Sequence, residues 1–342
     1  MKKVSMAQIA NIVGVSKSTV SNALSGKDNM LSEDTKKHII EVAKEYGYQK
    51  KKHLIRFVIF ERRSLSDNKT IDQVPKYQLM YDSIKKECNL YNYKIVVNHI
   101  KNKDREKGFG YIQKLLDCDG IIILGWDLTL DDLKWLREFL SIPFVVVDSS
   151  FTDPQYDFIT NNNHDAAYQL TQKMIDCGHK RIGFIHGGVM NVYTERMNGF
   201  ENALLANNLE FNQQYVCRVE RQDKSEFVVE IRDFLNKLKK RNSPMPTAFI
   251  ACDDRIAVSF LAASRSLNME FSLAGFDNLP LCLEQTPQLS SVEPDYRYIG
   301  KVAVHRMIEK INFGEKQTLK IYTEPKIYYR DSIINLNTIK KV

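Results

Sequence analysis

Acidic side chains stand at the ends of several short apolar runs that are typical of buried strands. They are Asp148 after 144–147, Asp253 and Asp254 after 249–252, and Asp277 after 273–276. Trp126 follows a further run of this kind, 120–124. Carboxylates accept hydrogen bonds from sugar hydroxyls, arginine donates them, and aromatic faces stack on the ligand. Together with an arginine, these residue types therefore predict a site for a polyhydroxylated ligand.

An Asp that directly follows a strand is also a common N-cap of the next helix. We expect Asp254 to cap a helix over 255–267. For Asp148 and Asp277, helix capping and ligand binding both remain open.

The elements that position these residues are strands alternating with helices. Apolar runs predict strands over 57–60, 94–98, 120–124, 144–148, 181–185, 247–251 and 272–276. Amphipathic stretches predict helices over 76–91, 105–116, 130–139, 165–177, 195–207, 225–241, 255–267 and 296–312. This alternation is typical of parallel α/β sheets, in which ligands bind beyond the carboxyl ends of the strands.

The chain is long enough for more than one domain. We expect a helical head over 1–48, a short basic linker over 49–56 and a tail over 336–342. The body, 57–335, is expected to form two doubly wound parallel-sheet lobes. The first lobe would comprise about 57–160 and 294–321, and the second about 161–293 and 322–335.

Charge is concentrated at the N-terminus. The 342 residues carry a formal net charge of +7, and residues 1–56 alone hold eleven basic and five acidic side chains. This asymmetry favours a basic head that binds a polyanion and a near-neutral body with another task.

Composition also excludes several classes of protein. No apolar run approaches the ~18 residues of a membrane span, and no apolar signal segment follows Met1. The six cysteines and seven histidines show no metal-ligand spacing. We therefore expect a cytoplasmic protein with reduced thiols, no metal, no cofactor and no membrane association.

The head has the pattern of three short helices. Ser5 and Gln8 form a capping box, Gly14 ends the first helix, Ser16 can cap the second and Ser32 the third. Two short helices joined by a tight turn that contains glycine predict a helix-turn-helix unit, whose second helix enters the major groove.

Polar residues on the second helix can then reach DNA. The candidates for base edges or phosphates are Lys17, Ser18, Ser21 and Asn22, and the candidates for phosphates alone are Ser5, Ser16, Thr19 and Ser25. The alternative is a solvated polar face in a small helical domain.

Residues 4–48 resemble the DNA-binding head of the LacI/GalR family of bacterial transcription regulators. The resemblance rests on Val4–Ala10, on Gly14–Leu24 and on the ends of the third helix. It implies that positions 17, 18 and 22 read the operator. Position 22 is usually Arg in the family and is Asn22 here, so a different half-site is expected.

The linker departs from the family pattern. Family members have a longer linker with a hinge helix that wedges into the minor groove, whereas only seven residues separate Tyr48 from Arg56 here. Lys50, Lys51 and Lys52 could contact phosphates without reading sequence. A solvated linker is the alternative.

The resemblance extends through the body. It implies a periplasmic-binding-protein-like body of two lobes, with effector contacts at Asp148, Arg196, Asp253 and Asp277 and a dimerisation element over 76–91. Asp253 and Asp254 stand where the family usually has Asn-Asp, and Asp223 stands where an aromatic residue is common. We therefore expect a pocket of the sugar type that is more acidic than most.

These features favour a homodimeric transcription repressor of carbohydrate genes that binds palindromic operator DNA. A sugar or sugar phosphate between the lobes would be its effector. The alternatives are a nucleobase or protein corepressor, an α/β enzyme with an accessory head, and a secreted solute-binding protein. The enzyme lacks support because no phosphate-binding glycine loop or nucleophile elbow is present. The solute-binding protein does not fit the missing signal segment and the basic head.

Overall fold

The computed structural model divides the chain into two units, 1–52 and 53–342, each of which is described by itself. The described residues are 4–25, 31–46, 48, 53–61, 74–101, 115, 117–125, 128–140, 142–151, 155–188, 190–219, 224–241, 244–314 and 317–339.

The first unit is the predicted three-helix head. Its helices are α1 (Met6–Val13), α2 (Lys17–Ser25) and α3 (Glu33–Glu45). The Gln8 N–H donates to the Ser5 hydroxyl and the Ser5 N–H donates to the Gln8 side chain, so the capping box forms as predicted. Apolar side chains from all three helices form one core: Ile9, Ala10, Val20, Ala23, Ile39, Val42 and Ala43.

The first lobe of the second unit is built on a six-stranded, fully parallel sheet with the order β11-β5-β4-β3-β1-β2. Its strands are β1 (His53–Glu61), β2 (Tyr93–Lys101), β3 (Gly120–Leu124), β4 (Phe144–Val147), β5 (Phe158–Asn161) and β11 (Lys320–Thr323). The neighbouring strands β4, β3 and β1 are rich in Ile, Val and Phe because both faces of the sheet are buried there.

The second lobe has a six-stranded sheet with the order β12-β10-β9-β8-β6-β7. Its strands are β6 (Ile182–His186), β7 (Val216–Arg218), β8 (Ala248–Ala251), β9 (Ser272–Phe276), β10 (Ser290–Glu293) and β12 (Lys326–Tyr328). All pairs are parallel except β10 with β12.

Helices cover both sheets of the body. They are α4 (Pro75–Leu90), α5 (Leu130–Phe139), α6 (Asn163–Asp176), α7 (Asn191–Ala206), α8 (Lys224–Lys240), α9 (Asp254–Ser266), α10 (Tyr296–Phe313) and α11 (Leu336–Ile339). The fold class expected from the sequence is therefore confirmed. The chain passes between the lobes after β5, after β10 and between β11 and β12.

Several elements differ from the prediction. Strand β1 begins at His53 because Ile55 is fully buried and the strand pairs with β2 from its first residue, so the predicted linker 49–56 overlaps β1. The sequence does not predict strands β5, β7, β10, β11 and β12, because each is short and includes polar residues, whereas the four-residue strands β4 and β8 are continuous apolar runs. The predicted helix 105–116 lies almost wholly outside the described residues.

Helices α6 and α7 approach each other closely at Gly199, where a Cβ atom would overlap the His164 carbonyl oxygen. We expect Gly199→Ala to lower the free energy of unfolding by about 1–3 kcal/mol, because the helices must move apart. Urea unfolding followed by circular dichroism measures this loss. Leu205→Ala on the same helix, at a side chain that is 74% exposed, should change it by less than about 0.5 kcal/mol. Equal midpoints for the two variants would show that the close approach is not required.

Candidate functional site

The carboxyl ends of strands β4 and β9 carry two buried aspartates with unusual backbone conformations. Asp148 follows β4 in the first lobe with φ +56°, and Asp277 follows β9 in the second lobe with φ +101°. Non-glycine residues rarely adopt positive φ, and such strained positions cluster at functional sites. Both strand ends are therefore built to hold a carboxylate at a fixed position.

A buried ion pair joins the two lobes at this edge. The Nζ atom of Lys76, on the first turn of α4, lies 2.9 Å from Oδ2 of Asp277. The Tyr296 hydroxyl donates to the other oxygen of Asp277 at 3.2 Å. The ammonium also lies 5.1 Å from the Tyr77 ring centroid and 5.8 Å from that of Tyr296. A carboxylate and two aromatic faces thus surround one cation.

Sequence reasoning missed Lys76, Tyr77 and Tyr296. The available signal was weak: Pro75 marks the first turn of a helix, and Tyr296 follows the N-cap Asp295. Their proximity to Asp277 depends on the arrangement of two lobes, which local patterns do not encode.

Arg196, on α7, is buried against the same edge of the second lobe. Its Nε donates to Oδ1 of Asn163 at 2.9 Å and its Nη1 donates to the Cys252 carbonyl at 2.5 Å. Its guanidinium lies 4.3 Å from the centroid of the Phe276 ring, which fixes its plane. Asp277 also acts electrostatically on Arg196. The predicted grouping of an arginine with strand-end carboxylates is therefore present in this lobe.

The prediction that Asp254 caps helix α9 is wrong. Asp253 has an extended backbone and is the N-cap: its Oδ1 accepts the Ile256 N–H at 2.9 Å, and its Oδ2 accepts the Tyr193 hydroxyl at 2.8 Å. Asp254 already lies within the helix and points inward. It accepts the Ser291 hydroxyl at 2.7 Å and the Leu279 N–H at 2.9 Å, so it secures the segment after β9.

Burial shifts the pKa values of several carboxyl groups near the lobe boundary. Burial raises the pKa of Asp148 to about 6, against the opposing attraction of Lys76. Burial, followed by repulsion from Asp277, raises the pKa of Asp254 to about 7. Burial likewise raises the pKa of Glu195 to about 7. With Lys76 paired to Asp277, the cleft is less acidic than its composition suggests.

Further hydrogen bonds cross between the lobes. Glu195 of α7 accepts the Ser150 hydroxyl from the other lobe and the Asn163 side-chain amide within its own lobe. The Asn191 amide donates to the Ser150 carbonyl at 3.3 Å. Ser150 follows β4, so the segment after Asp148 contacts the first turns of α7. Trp126 and Asp223, also singled out in the sequence, lie outside the described residues.

The head presents a polar face on α2. Lys17, Ser18 and Asn22 are exposed, whereas Thr19 and Ser21 are half-buried. Val20 and Ala23 on the opposite face are buried, as the groove-facing arrangement requires.

Two of the candidate phosphate contacts also serve as helix caps. Ser5 caps α1, and Ser16 accepts the Thr19 N–H at 3.0 Å at the start of α2. Lys50, Lys51 and Lys52 and the side chain of Ser25 lie outside the described residues.

Family models match both units of the chain. Residues 5–51 match the model of bacterial regulatory proteins of the lacI family, and residues 171–333 match that of the periplasmic binding protein-like domain. The chain therefore combines a helix-turn-helix DNA-binding head with a two-lobed periplasmic-binding-protein-like body.

Whole-chain relatives carry the same combination. An HTH-type transcriptional repressor PurR of Haemophilus influenzae (strain PittEE) is 24% identical over 335 residues, covering 95% of this chain and 97% of the relative. One from Actinobacillus pleuropneumoniae serotype 3 (strain JL03) is 26% identical over 340 residues, covering 96% and 98%. The protein belongs to the LacI family and is a DNA-binding transcription repressor rather than an enzyme.

Solved structures share the fold. The transcriptional regulator CelR in complex with cellobiose superimposes with a TM-score of 0.71 at 21% identity, covering 96% of this chain and 100% of that one. The Lac repressor dimer bound to operator and the anti-inducer ONPF gives a TM-score of 0.70 at 18% identity, covering 97% and 100%. Among the described residues, no helix is long and apolar enough to cross a membrane.

The raised pKa of Asp254 predicts a pH dependence of stability. Between about pH 4 and pH 7 the folded protein keeps a proton that the unfolded chain releases, so the free energy of unfolding falls as pH rises through this window. Asp254→Asn should flatten this fall, which urea unfolding at several pH values would measure. Asp233→Asn, at an exposed site on α8, should keep the wild-type slope. Parallel curves for Asp254→Asn and wild type would contradict the assignment.

Proposed function

We propose that the protein represses genes as a homodimer in the cytoplasm, with one head on each half of a palindromic operator and an effector bound between the lobes of each body. The observation that carries this proposal is that Asp148 and Asp277 follow the carboxyl ends of β4 and β9 and that both carboxylates act electrostatically on Arg196. A ligand held there contacts both lobes, so its binding energy depends on their relative position.

The proposed effector is a sugar or a sugar phosphate. Carboxylate oxygens suit hydroxyl donors, and the Tyr77 and Tyr296 rings supply faces for stacking. The complex of CelR with cellobiose supports this class. A nucleobase is the second candidate, because the curated relatives named PurR favour it and aromatic faces also stack on bases.

Control of DNA binding follows from differential affinity. An effector that binds one lobe arrangement more tightly shifts the population toward it. A coupling of about 1–3 kcal/mol between the cleft and the heads would change operator affinity about 5- to 150-fold. A sugar would act as an inducer and a nucleobase as a corepressor.

On the DNA side, the polar face of α2 would enter the major groove, with Lys17, Ser18 and Asn22 toward the base edges. Dimerisation through the 76–91 region would place two such faces on one palindrome. Selection of bound sites from a random duplex pool tests this directly. A recovered palindrome is expected, and a pool without any motif would contradict sequence-specific repression.

The effector class can be tested on the selected operator by fluorescence anisotropy. Addition of monosaccharides, disaccharides or their phosphates should change operator affinity at least about fivefold. A change caused only by purine bases would replace the sugar proposal with the nucleobase candidate. An operator affinity that no compound of either class changes would contradict both.

Asn22 should read base edges. Asn22→Ala is expected to weaken binding to the selected operator by about 1–3 kcal/mol, because a bidentate side-chain contact to a base is lost. Binding to random DNA should change little. Asn11→Ala, an exposed asparagine on α1, is the matched control and should leave both affinities unchanged. Equal losses on operator and random DNA would refute the base-reading role.

Asp277 should be required for effector binding. Asp277→Asn removes a carboxylate acceptor for ligand hydroxyls and the charge that holds Lys76 in place, and it is expected to weaken binding of the active compound about tenfold or more. Titration calorimetry with that compound measures the loss, with Asp233→Asn as the matched control. An affinity unchanged by Asp277→Asn would place the effector elsewhere.

A further inference from the structure

We propose that Lys76 determines the charge of the effector: the cleft takes a ligand that carries a phosphate or carboxylate group, and Lys76 is the partner of that group. This inference rests on the proposed effector site and names the chemical class of its ligand. The strand-end carboxylates alone predict a ligand with hydroxyl donors, and they predict neither a role for Lys76 nor an anionic ligand.

The ammonium of Lys76 is only partly satisfied. The residue is 9% exposed, so water has little access to it. A lysine ammonium has three N–H donors, and within the described residues Asp277 is its hydrogen-bond partner. Burying a charged group with unused donors is costly. An anionic oxygen from a ligand would accept from these donors while the ion pair with Asp277 stays intact.

The position of the ammonium is fixed. The rings of Tyr77 and Tyr296 flank it, and Tyr296 also donates to the carboxylate of Asp277. These contacts keep the Lys76 side chain within the lobe boundary instead of extending into solvent. A cation held in place before binding loses little conformational freedom when the ligand arrives.

Other cations near the cleft have established partners. Arg196 donates to Asn163 and to the Cys252 carbonyl and stacks on Phe276. The Arg255 guanidinium lies 3.6 Å from Asp253 and its side chain is 55% exposed. Arg196 is also buried and keeps N–H donors beyond these two bonds, so Lys76 and Arg196 are the two buried cations among these three with donors that remain for a ligand.

The pairing of Asp277 favours an anion over a cation beside Lys76, although the carboxylates of Asp148 and Asp253 also act electrostatically on this ammonium. Asp277, the carboxylate nearest Lys76, is already engaged by the ammonium and by Tyr296. A cationic ligand would have to displace Lys76 from its buried carboxylate and leave the ammonium without a partner. An anionic ligand displaces nothing.

The test compares how much anions raise the melting temperature of the full chain and of its variants. Melting temperatures are measured in inorganic phosphate, in malonate and in chloride at equal ionic strength. Phosphate, malonate or both should raise the melting temperature of the wild type above its value in chloride. A rise in only one of them identifies the class, phosphate or carboxylate. Lys76→Met should lose at least half of the rise, and Lys76→Arg should retain most of it.

Lys180→Met, at an exposed site of the second lobe, is the matched control and should behave as the wild type. A rise that Lys76→Met keeps in full, or a wild type that neither anion stabilises, would overturn the inference. Because Lys76→Met leaves Asp277 unpaired, the double variant Lys76→Met/Asp277→Asn repeats the comparison without a lone buried charge.

Calorimetry with glucose and glucose 6-phosphate provides a second measurement. If either compound binds, the phosphorylated one should bind about ten- to a hundredfold more tightly to the wild type, and Lys76→Met should abolish that preference. Equal affinities in the wild type would overturn the inference. If the protein selects a palindromic operator but fails these anion tests, only this inference is contradicted. If it selects no operator, the proposed function itself is contradicted.

Discussion

The ion pair between Lys76 and Asp277 is the contact on which the arrangement of the cleft depends. Its two charges come from different lobes and are both nearly excluded from water. If one member of such a pair loses the other, it becomes an uncompensated buried charge, which is strongly unfavourable. The lobes can therefore separate at this point only if water or a ligand replaces the missing partner. The strained backbone at Asp277 and the hydrogen bond from Tyr296 keep the carboxylate in position to pair with Lys76.

Hydrogen bonds within the second lobe fix the segment that carries the Asp277 carboxylate. Asp254 binds the Leu279 N–H and the Ser291 hydroxyl, which ties the segment after β9 to helix α9 and to strand β10. Asp253, one residue earlier, begins the same helix and binds Tyr193 of α7. The two adjacent aspartates thus have different structural roles. Asp253 caps the start of the helix, and Asp254 anchors the segment that follows Asp277.

Much of this arrangement could be predicted from the sequence because it depends on local periodicity. The capping box at Ser5, the limits of β3 and β9 and the position of Asp148 and Asp277 at strand ends follow from short-range patterns. The edge strands β7, β11 and β12 could not be predicted, because their three or four residues mix polar with apolar side chains and their pairing depends on distant partners. The role of Lys76 could not be predicted either, because its carboxylate partner, Asp277, lies about two hundred residues away in the sequence.

The small core of the head has a consequence for how temperature acts on repression. Seven buried apolar side chains hold three helices together, whereas each lobe of the body packs a complete sheet between helices. Domains of that size keep little stability in reserve. Operator DNA binds only the folded head, so it raises the free energy of unfolding of the head by mass action. We therefore expect a head that is off the DNA to melt at a lower temperature than the body, so that a moderate rise in temperature would relieve repression while the lobes remain folded.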